Sequence, residues 1–514
     1  MLAKINSYAL NGLDGYKVRV EVDIHSGLPA FDVVGLPDTA IKESRERVRS
    51  AIKNSGFDFT PRKITVNLAP AHTKKEGPVF DLAIALGILC STEQAGVDEN
   101  KKPLAAVSEY VFLGELSLSG AVTRINGVMP MLIAAREHGI KKVVIPKDNI
   151  NEAKYIRGIQ VYAVSALRDA VALINGVECT PIENSDIVAC GENSVREDLK
   201  YVKGQYSAKR ALEIAAAGGH NMIMIGAPGG GKTMLAKCLT GILPDMTESE
   251  VLETTKIHSV VGILDPERGI VCSRPFRSPH HTTSRIALTG GGPTARPGEI
   301  SYAHNGVLFL DELPEYPRAV LEILRQPLED GVVTVSRASR TVEYPANFML
   351  VASMNPCPCG YYGSNTHQCT CSPSQIQKYM SRISGPLLDR IDLHIEVDEV
   401  NYDDLTSDKE AESSATVKER VNKARAVQTR RYAGTNIHSN SQMTSEMIKK
   451  YCALDVAGEK ILQNAFDKLG MSARAYTRIL KVARTIADLD GAENISARHI
   501  AEAVMYRSLD KAVK

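Results

Sequence analysis

In Met222-Ile-Met-Ile-Gly226-Ala-Pro-Gly-Gly-Gly231-Lys232-Thr233-Met-Leu-Ala236, an apolar run passes through a glycine-rich turn into a helical pattern. Four apolar residues with no polar alternation fit a strand buried on both faces, as in a parallel sheet covered by helices. Strand, loop and helix together make one βα unit of such a sheet. The loop, Gly226, Ala227, Pro228, Gly229, Gly230 and Gly231, lets successive backbone N–H groups converge on one point, and the helix start adds positive potential there. Lys232 and Thr233 follow at the offset where an ammonium reaches β- and γ-phosphate oxygens and a hydroxyl ligates Mg²⁺. A glycine turn without a ligand would need neither residue. The stretch specifies an α/β fold and a nucleoside triphosphate, with ATP and Mg²⁺ as the expected ligands.

Two further apolar runs downstream end in polar residues suited to the same chemistry. Val307-Leu-Phe-Leu310 runs into Asp311-Glu312, at the strand end where α/β sheets bind ligands. Taken alone, two acids after a strand read as the first turn of a helix. Downstream of the glycine loop, Asp311 is expected to hold Mg²⁺ through water and Glu312 to polarise the attacking water. Phe348 to Ser353 runs into Met354-Asn355, and this strand is expected between the other two. Asn355 then faces the γ-phosphate or its water, although an Asn before Pro356 is also an ordinary turn start.

At 514 residues the chain exceeds one hydrophobic core, so two or three domains are expected. Residues 1–175 read as one mixed α/β domain. Its strand alternates Val18, Val20, Val22 and Ile24 against Lys17, Arg19, Glu21 and Asp23, and an apolar helix starts at Asp81. Periodicity fades over 176–197, a stretch of small and polar residues that reads as a linker. Residues 198–400 carry the βα pattern, and 401–514 read as a helical domain with helices near 416–430, 444–451, 456–468, 475–489 and 497–507.

Composition narrows the partners only a little. A net charge of +1 gives no global field to attract phosphate, so any nucleic-acid role must rest on local basic patches. No run approaches the roughly 20 apolar residues of a membrane span, and the first residues lack a signal-peptide core. A cytoplasmic protein with no membrane partner is the expectation. Cys357, Cys359, Cys369 and Cys371 crowd into one short stretch while the other six cysteines are scattered. Four soft thiolates favour tetrahedral Zn²⁺, with His367 able to replace one; paired redox thiols are the alternative reading of the tight C-x-C spacing. The run 332–344 reads as a β-hairpin with Arg337 and Arg340 at its tip, either DNA-phosphate contacts or a solvated hairpin end. The basic helix near 416–430 carries an apolar stripe that core packing explains without DNA.

The run Arg274-Pro-Phe-Arg-Ser-Pro-His-His-Thr-Thr-Ser284, then Gly290-Gly-Gly-Pro293, Pro297-Gly-Glu-Ile300 and Ala303 to Leu313, resembles the ComM/YifB family of magnesium-chelatase-like AAA+ ATPases over nearly the whole chain. The resemblance implies a Lon-protease-like N-terminal domain, a central P-loop AAA+ domain and a C-terminal helical lid. It implies a homo-oligomeric ring, a hexamer, with ATP between subunits. By position, Arg390 in Leu387-Leu-Asp-Arg-Ile-Asp-Leu393 looks like the arginine finger offered to a neighbour, and Arg474 in Ser472-Ala-Arg-Ala475 like the second sensor arginine. As bare arginines, both read more readily as surface salt bridges. In the first domain Lys75-Glu-Gly-Pro78 and Gly114 to Gly120 resemble Lon, but Val79 and Met129 stand where Lon proteases carry their serine and lysine. Neither side chain performs nucleophilic or base catalysis, so an inactive scaffold is expected.

The function implied by the resemblance is an ATP-driven DNA motor, a ComM-like branch-migration helicase serving recombination and natural transformation. A chelatase-type or protein-remodelling ATPase acting on a protein partner is the alternative, because one motor architecture serves many substrates.

Overall fold

The computed structural model describes residues 2–98, 104, 106–187, 197–292, 294–337, 340–364, 366–399, 411–469 and 471–507. The middle of the expected linker, the junction expected at 400/401 and the tip residues 338 and 339 lie outside them. The chain forms two compact units: Met1–Val188 with Glu248–Val271, and Ala189–Thr247 with Cys272–Lys514.

In the first unit the strands are β1 (Ala3–Asn11), β2 (Asp14–His25), β3 (Ala30–Val34), β4 (Lys63–Ala69), β5 (Tyr110–Phe112), β6 (Glu115–Leu116), β7 (Val122–Thr123), β8 (Lys142–Pro146) and β9 (Gln160–Val164). Seven of them form a mixed sheet of order β3-β4-β2-β1-β5-β8-β9, while β6 and β7 pair separately. The alternation in β2 sets its register: Val18, Val20 and Val22 are fully buried, and Ala3 to Asn11 pairs antiparallel along it. The helix Asp81–Ser91 is buried along its entire length, so its apolar residues show no amphipathic period. The helix Glu248–Val261 completes this unit from far along the chain. The Gly127 N–H donates to the Ser259 carbonyl at 3.1 Å, and the Ser259 hydroxyl donates to the buried Glu152 carboxylate.

In the second unit the strands are β10 (Met222–Gly226), β11 (Phe276–Arg277), β12 (Gly290–Gly291), β13 (Arg296–Pro297), β14 (Val307–Leu310), β15 (Val332–Arg337), β16 (Arg340–Pro345), β17 (Met349–Met354) and β18 (Leu393–Val397). The main sheet is wholly parallel, in the order β11-β14-β17-β10-β18, so β17 lies between β14 and β10 as the sequence predicts. All four residues of β14 and all six of β17 are buried, which explains their unbroken apolar runs. A Cβ at Gly226 would collide with the Val397 carbonyl, so only glycine lets the first loop residue lie against β18. β15 and β16 form the expected hairpin, closed by the pair Arg337–Arg340.

Helices Ser414–Arg431, Ser445–Tyr451, Val456–Leu469, Ala473–Leu489 and Ala497–Met505 form a helical C-terminal region and share one apolar core with the sheet. Buried polar groups fix this region to the sheet as well. Asp392, at the entry to β18, receives the Asn221 N–H at 3.1 Å, faces His220 Nδ1 at 3.3 Å and pairs with Arg478. Burial pushes the Asp392 carboxyl upward, but Arg478 and His220 outweigh it and hold the group below the usual carboxylate range.

Candidate functional site

The parallel sheet gathers the ends of three strands at one edge. β10 leads into the glycine loop, and the helix Lys232–Ile242 begins directly after it. Gly231, just before it, has φ +82°, which turns the chain into the helix at no steric cost. Lys232 is 9% exposed and donates to the carbonyls of Gly226 at 2.6 Å and Ala227 at 2.9 Å, and to Asn355 Oδ1 at 3.1 Å. Burial lowers its pKa, while the facing carboxylates of Asp311 and Glu312 favour the ammonium. These carbonyls satisfy the ammonium weakly compared with phosphate oxygens carrying full charge, so a triphosphate displaces them favourably.

β14 delivers the two acids. The Thr233 hydroxyl donates to Asp311 Oδ2 at 3.0 Å, and the Ser353 hydroxyl donates to Asp311 Oδ1. Hydroxyl and carboxylate side by side are a hard oxygen pair, the donor type Mg²⁺ selects, so the residues fit the ion. Glu312 has an αL backbone, φ 53°, unusual for a non-glycine residue and often kept where it aims a side chain. Its side chain is 57% exposed and lies 3.7 Å from His281 Nδ1. The His281 ring meets Tyr316 edge-on, and the Tyr316 hydroxyl donates to the Pro279 carbonyl at 2.5 Å.

Ser353 and His281 were missed at the sequence level. A signal for Ser353 existed in its position at the end of the strand predicted beside β14. For His281 there is only the pair His280-His281 in a polar loop; the structure puts His281 beside Glu312.

β17 ends at Met354, and Asn355 leads at once into the cysteine knuckle. Sγ of Cys357, Cys359, Cys369 and Cys371 all lie within 4.8 Å of one another. Cys357 Sγ is 3.3 Å from Cys359 and 3.7 Å from Cys369, and Cys359 is 3.6 Å from Cys369. A Zn–S bond of about 2.3 Å sets tetrahedral S···S edges of about 3.8 Å, so the four thiols need only small shifts to hold that ion. Backbone N–H groups of Tyr361 and Thr370 bring the Cys359 thiol down to about 5, so a thiolate is favoured there. His367 stands apart, its Nδ1 2.9 Å from the Thr366 hydroxyl and its ring stacked on Tyr361. The knuckle also touches the glycine loop: a Cβ at Gly360, φ +88°, would lie 2.7 Å from the ring of Pro228. No side chain fits there, and the knuckle backbone braces the loop.

The two arginines meet at a third residue. Arg390 is 5% exposed, donates Nη1 to the Pro386 carbonyl at 2.8 Å and pairs through Nη2 with Glu329. Arg474, half exposed, reaches the other oxygen of Glu329 at 3.4 Å. At the hairpin tip Arg337 is exposed and donates Nε to the Gly292 carbonyl at 3.3 Å; the side chain of Arg340 lies outside the described residues. In the first unit Val79 is 8% exposed and Met129 fully buried, and the Met129 N–H donates to Glu152 at 2.7 Å. Among the described residues no helix is long and apolar enough to cross a membrane.

Comparison with known proteins finds three matching families along the chain. Residues 198–405 match the family described as magnesium chelatase, subunit ChlI; residues 20–149 match subunit ChlI of Mg-chelatase; and residues 411–507 match magnesium chelatase, subunit ChlI C-terminal. The competence protein ComM of Haemophilus influenzae is 45% identical over 99% of this chain and 98% of its own. YifB of Escherichia coli is 43% identical over 99% of this chain and 98% of its own. Part of the chain is also similar to Lon protease 2 of Bacillus subtilis, 30% identical over 25% of this chain and 22% of that protein.

Proposed function

We infer a function from one premise: the chain belongs to the ComM/YifB family of magnesium-chelatase-like AAA+ ATPases. The reading is an ATP-hydrolysing motor that drives branch migration of DNA junctions in recombination and natural transformation. It does so as a homo-oligomeric ring, a hexamer, in the cytoplasm. The observation that carries the ATPase part is the convergence of Lys232, Thr233, Asp311, Glu312 and Asn355 at one sheet edge. The DNA part draws support from a relative named a competence protein and from the hairpin with arginines at its closing pair.

In this reading the loop N–H groups of 226–231 hold the phosphates, and Lys232 exchanges the Gly226 and Ala227 carbonyls for β- and γ-oxygens. Thr233 and Asp311 hold Mg²⁺, which supplies positive charge to the phosphate oxygens when bound. Glu312 orients the attacking water and takes its proton, while Asn355 fixes the γ-phosphate side of that water. Arg390 is the finger presented to a neighbouring subunit and Arg474 the sensor arginine. The four cysteines hold a structural Zn²⁺ that stiffens the exit of β17. Arg337 and Arg340 contact DNA phosphates. The first unit is a scaffold without peptidase chemistry, since Val79 and Met129 offer no nucleophile or base.

A second reading, a motor acting on a protein partner, is favoured by the partial similarity to a Lon protease. ATPase rate with and without branched DNA, together with strand displacement from a synthetic junction, separates the two. Stimulation and displacement are expected; neither, alongside a working basal ATPase, leaves the protein-remodelling motor.

A further inference from the structure

Glu329 sits in the short helix Pro327–Asp330, two residues before the glycine that leads into β15. One of its oxygens pairs with Arg390, and the other lies 3.4 Å from Arg474. Arg390 comes from the loop before β18 and Arg474 from the first turn of the helix Ala473–Leu489, so a single carboxylate joins two elements far apart in sequence. A second tie runs beside it, because the Ser472 hydroxyl, which caps that helix, donates to Asp389 at 3.5 Å.

Two guanidinium groups share one carboxylate, and among the described residues no second carboxylate pairs with either. Their exposure is unequal. Arg390 is buried and its Nε finds no acceptor among the described residues, whereas Glu329 and Arg474 are each about half exposed. Glu329 therefore covers Arg390 and orients it while Arg474 stands free to leave. A phosphate carries more charge than a carboxylate and accepts from arginine in the same bidentate fashion, so it competes for both groups.

We propose that Glu329 is a positioning residue that holds Arg390 and Arg474 as one paired cationic face and yields both to a triphosphate bound by a neighbouring subunit. The proposal rests on the reading of Arg390 as a finger acting across a ring interface. Because Glu329 stands three residues before Val332, where the hairpin's first strand begins, its release is also felt at the base of β15. One carboxylate thus links phosphate capture to the element proposed to touch DNA.

The test is full-length protein carrying Glu329→Gln, which keeps the shape and removes the charge. ATPase kcat is expected to fall about 10²-fold, the scale set by misplacing a group that must meet the transition state, with KM for ATP little changed. Glu329→Asp should recover part of the rate. In protein carrying both Arg390→Ala and Arg474→Ala, adding Glu329→Gln should cost nothing further, because a residue that acts through others has no effect once those others are gone. Rings mixed from Glu329→Gln and Lys232→Ala subunits should regain activity, since each supplies what the other lacks. An unchanged kcat, a full additional loss on removing Glu329 from protein that lacks both arginines, or no recovery in the mixed rings overturns the role of Glu329. Mixing Arg390→Ala with Lys232→Ala is the control: if that pair also stays inactive, the finger reading itself falls.

Discussion

Two lysines are buried among the described residues, and they teach different lessons. Lys75, in the first unit, is fully buried and donates to the Pro70 carbonyl. Lys232, in the second, is 9% exposed and meets two loop carbonyls and an Asn. Burial lowers both pKa values, but only Lys232 faces carboxylates, Asp311 and Glu312, that favour its charged form. A buried ammonium that ends on one carbonyl stabilises a turn. A buried ammonium kept charged by acids, at the mouth of a loop of N–H donors, is ready to exchange its partners for an anion.

The comparison is easiest to break at its strongest side. Lys232→Ala should abolish ATP binding and lower turnover by about 10³-fold or more, the scale of a lost phosphate clamp. Nucleotide binding by fluorescence titration and phosphate release measure this, and retained binding would remove Lys232 from the site. Glu312→Gln should keep ATP bound while kcat drops by about 10²–10⁴-fold, as expected for a lost general base. A normal rate in that variant would hand the role to another group, with His281 the nearest candidate. The double variant Cys359→Ser with Cys371→Ser should lose one equivalent of zinc by elemental analysis. It should also weaken ATP binding by about tenfold, because a misplaced support for a site typically costs one to two orders of magnitude. Loss of zinc with unaltered nucleotide affinity would mean that the contact between Gly360 and Pro228 is passive.

The smallest effect belongs to the other lysine. Lys75→Met should leave ATPase within about twofold and lower stability by about 1–3 kcal/mol, the cost of a buried carbonyl left without its donor. The pH dependence has a definite sign. Folding lowers the Lys75 pKa, so the unfolded chain binds more protons across the interval up to the ordinary lysine value, and stability of the parent protein rises with pH there. The deficit of Lys75→Met, which has no proton to lose, should therefore widen with alkaline pH in chemical denaturation. A deficit independent of pH would show that folding leaves the Lys75 pKa where it is in the unfolded chain.

Local signals made much of this architecture readable in advance. Val307 to Leu310 emerged as β14 without a residue's error, and the helices expected near 416–430, 444–451 and 456–468 are found at Ser414–Arg431, Ser445–Tyr451 and Val456–Leu469. Period and capping are properties of neighbouring residues, so they survive without the fold. β1 escaped because Ala3 to Asn11 mixes small and polar residues and is held by its long pairing with β2. β18 escaped because Leu393 to Val397 includes His394 and Glu396, and its place beside β10 is a matter of distant partners. Candidate site residues within motifs were readable for the same local reason. Glu329, Ser353 and the seat of Pro228 on Gly360 were not, since each is defined by a contact across many residues of chain.

The helix Glu248–Val261 has a practical consequence for anyone who cuts the protein apart. The chain passes from one unit to the other three times, near 188, 247 and 271, so nicking the first connection leaves both halves still tethered. A fragment ending at 188 would be an unfinished fold, with the carboxylate of Glu152 stripped of the Ser259 hydroxyl that donates to it. Expression of the first unit alone calls for residues 248–271 grafted back onto it.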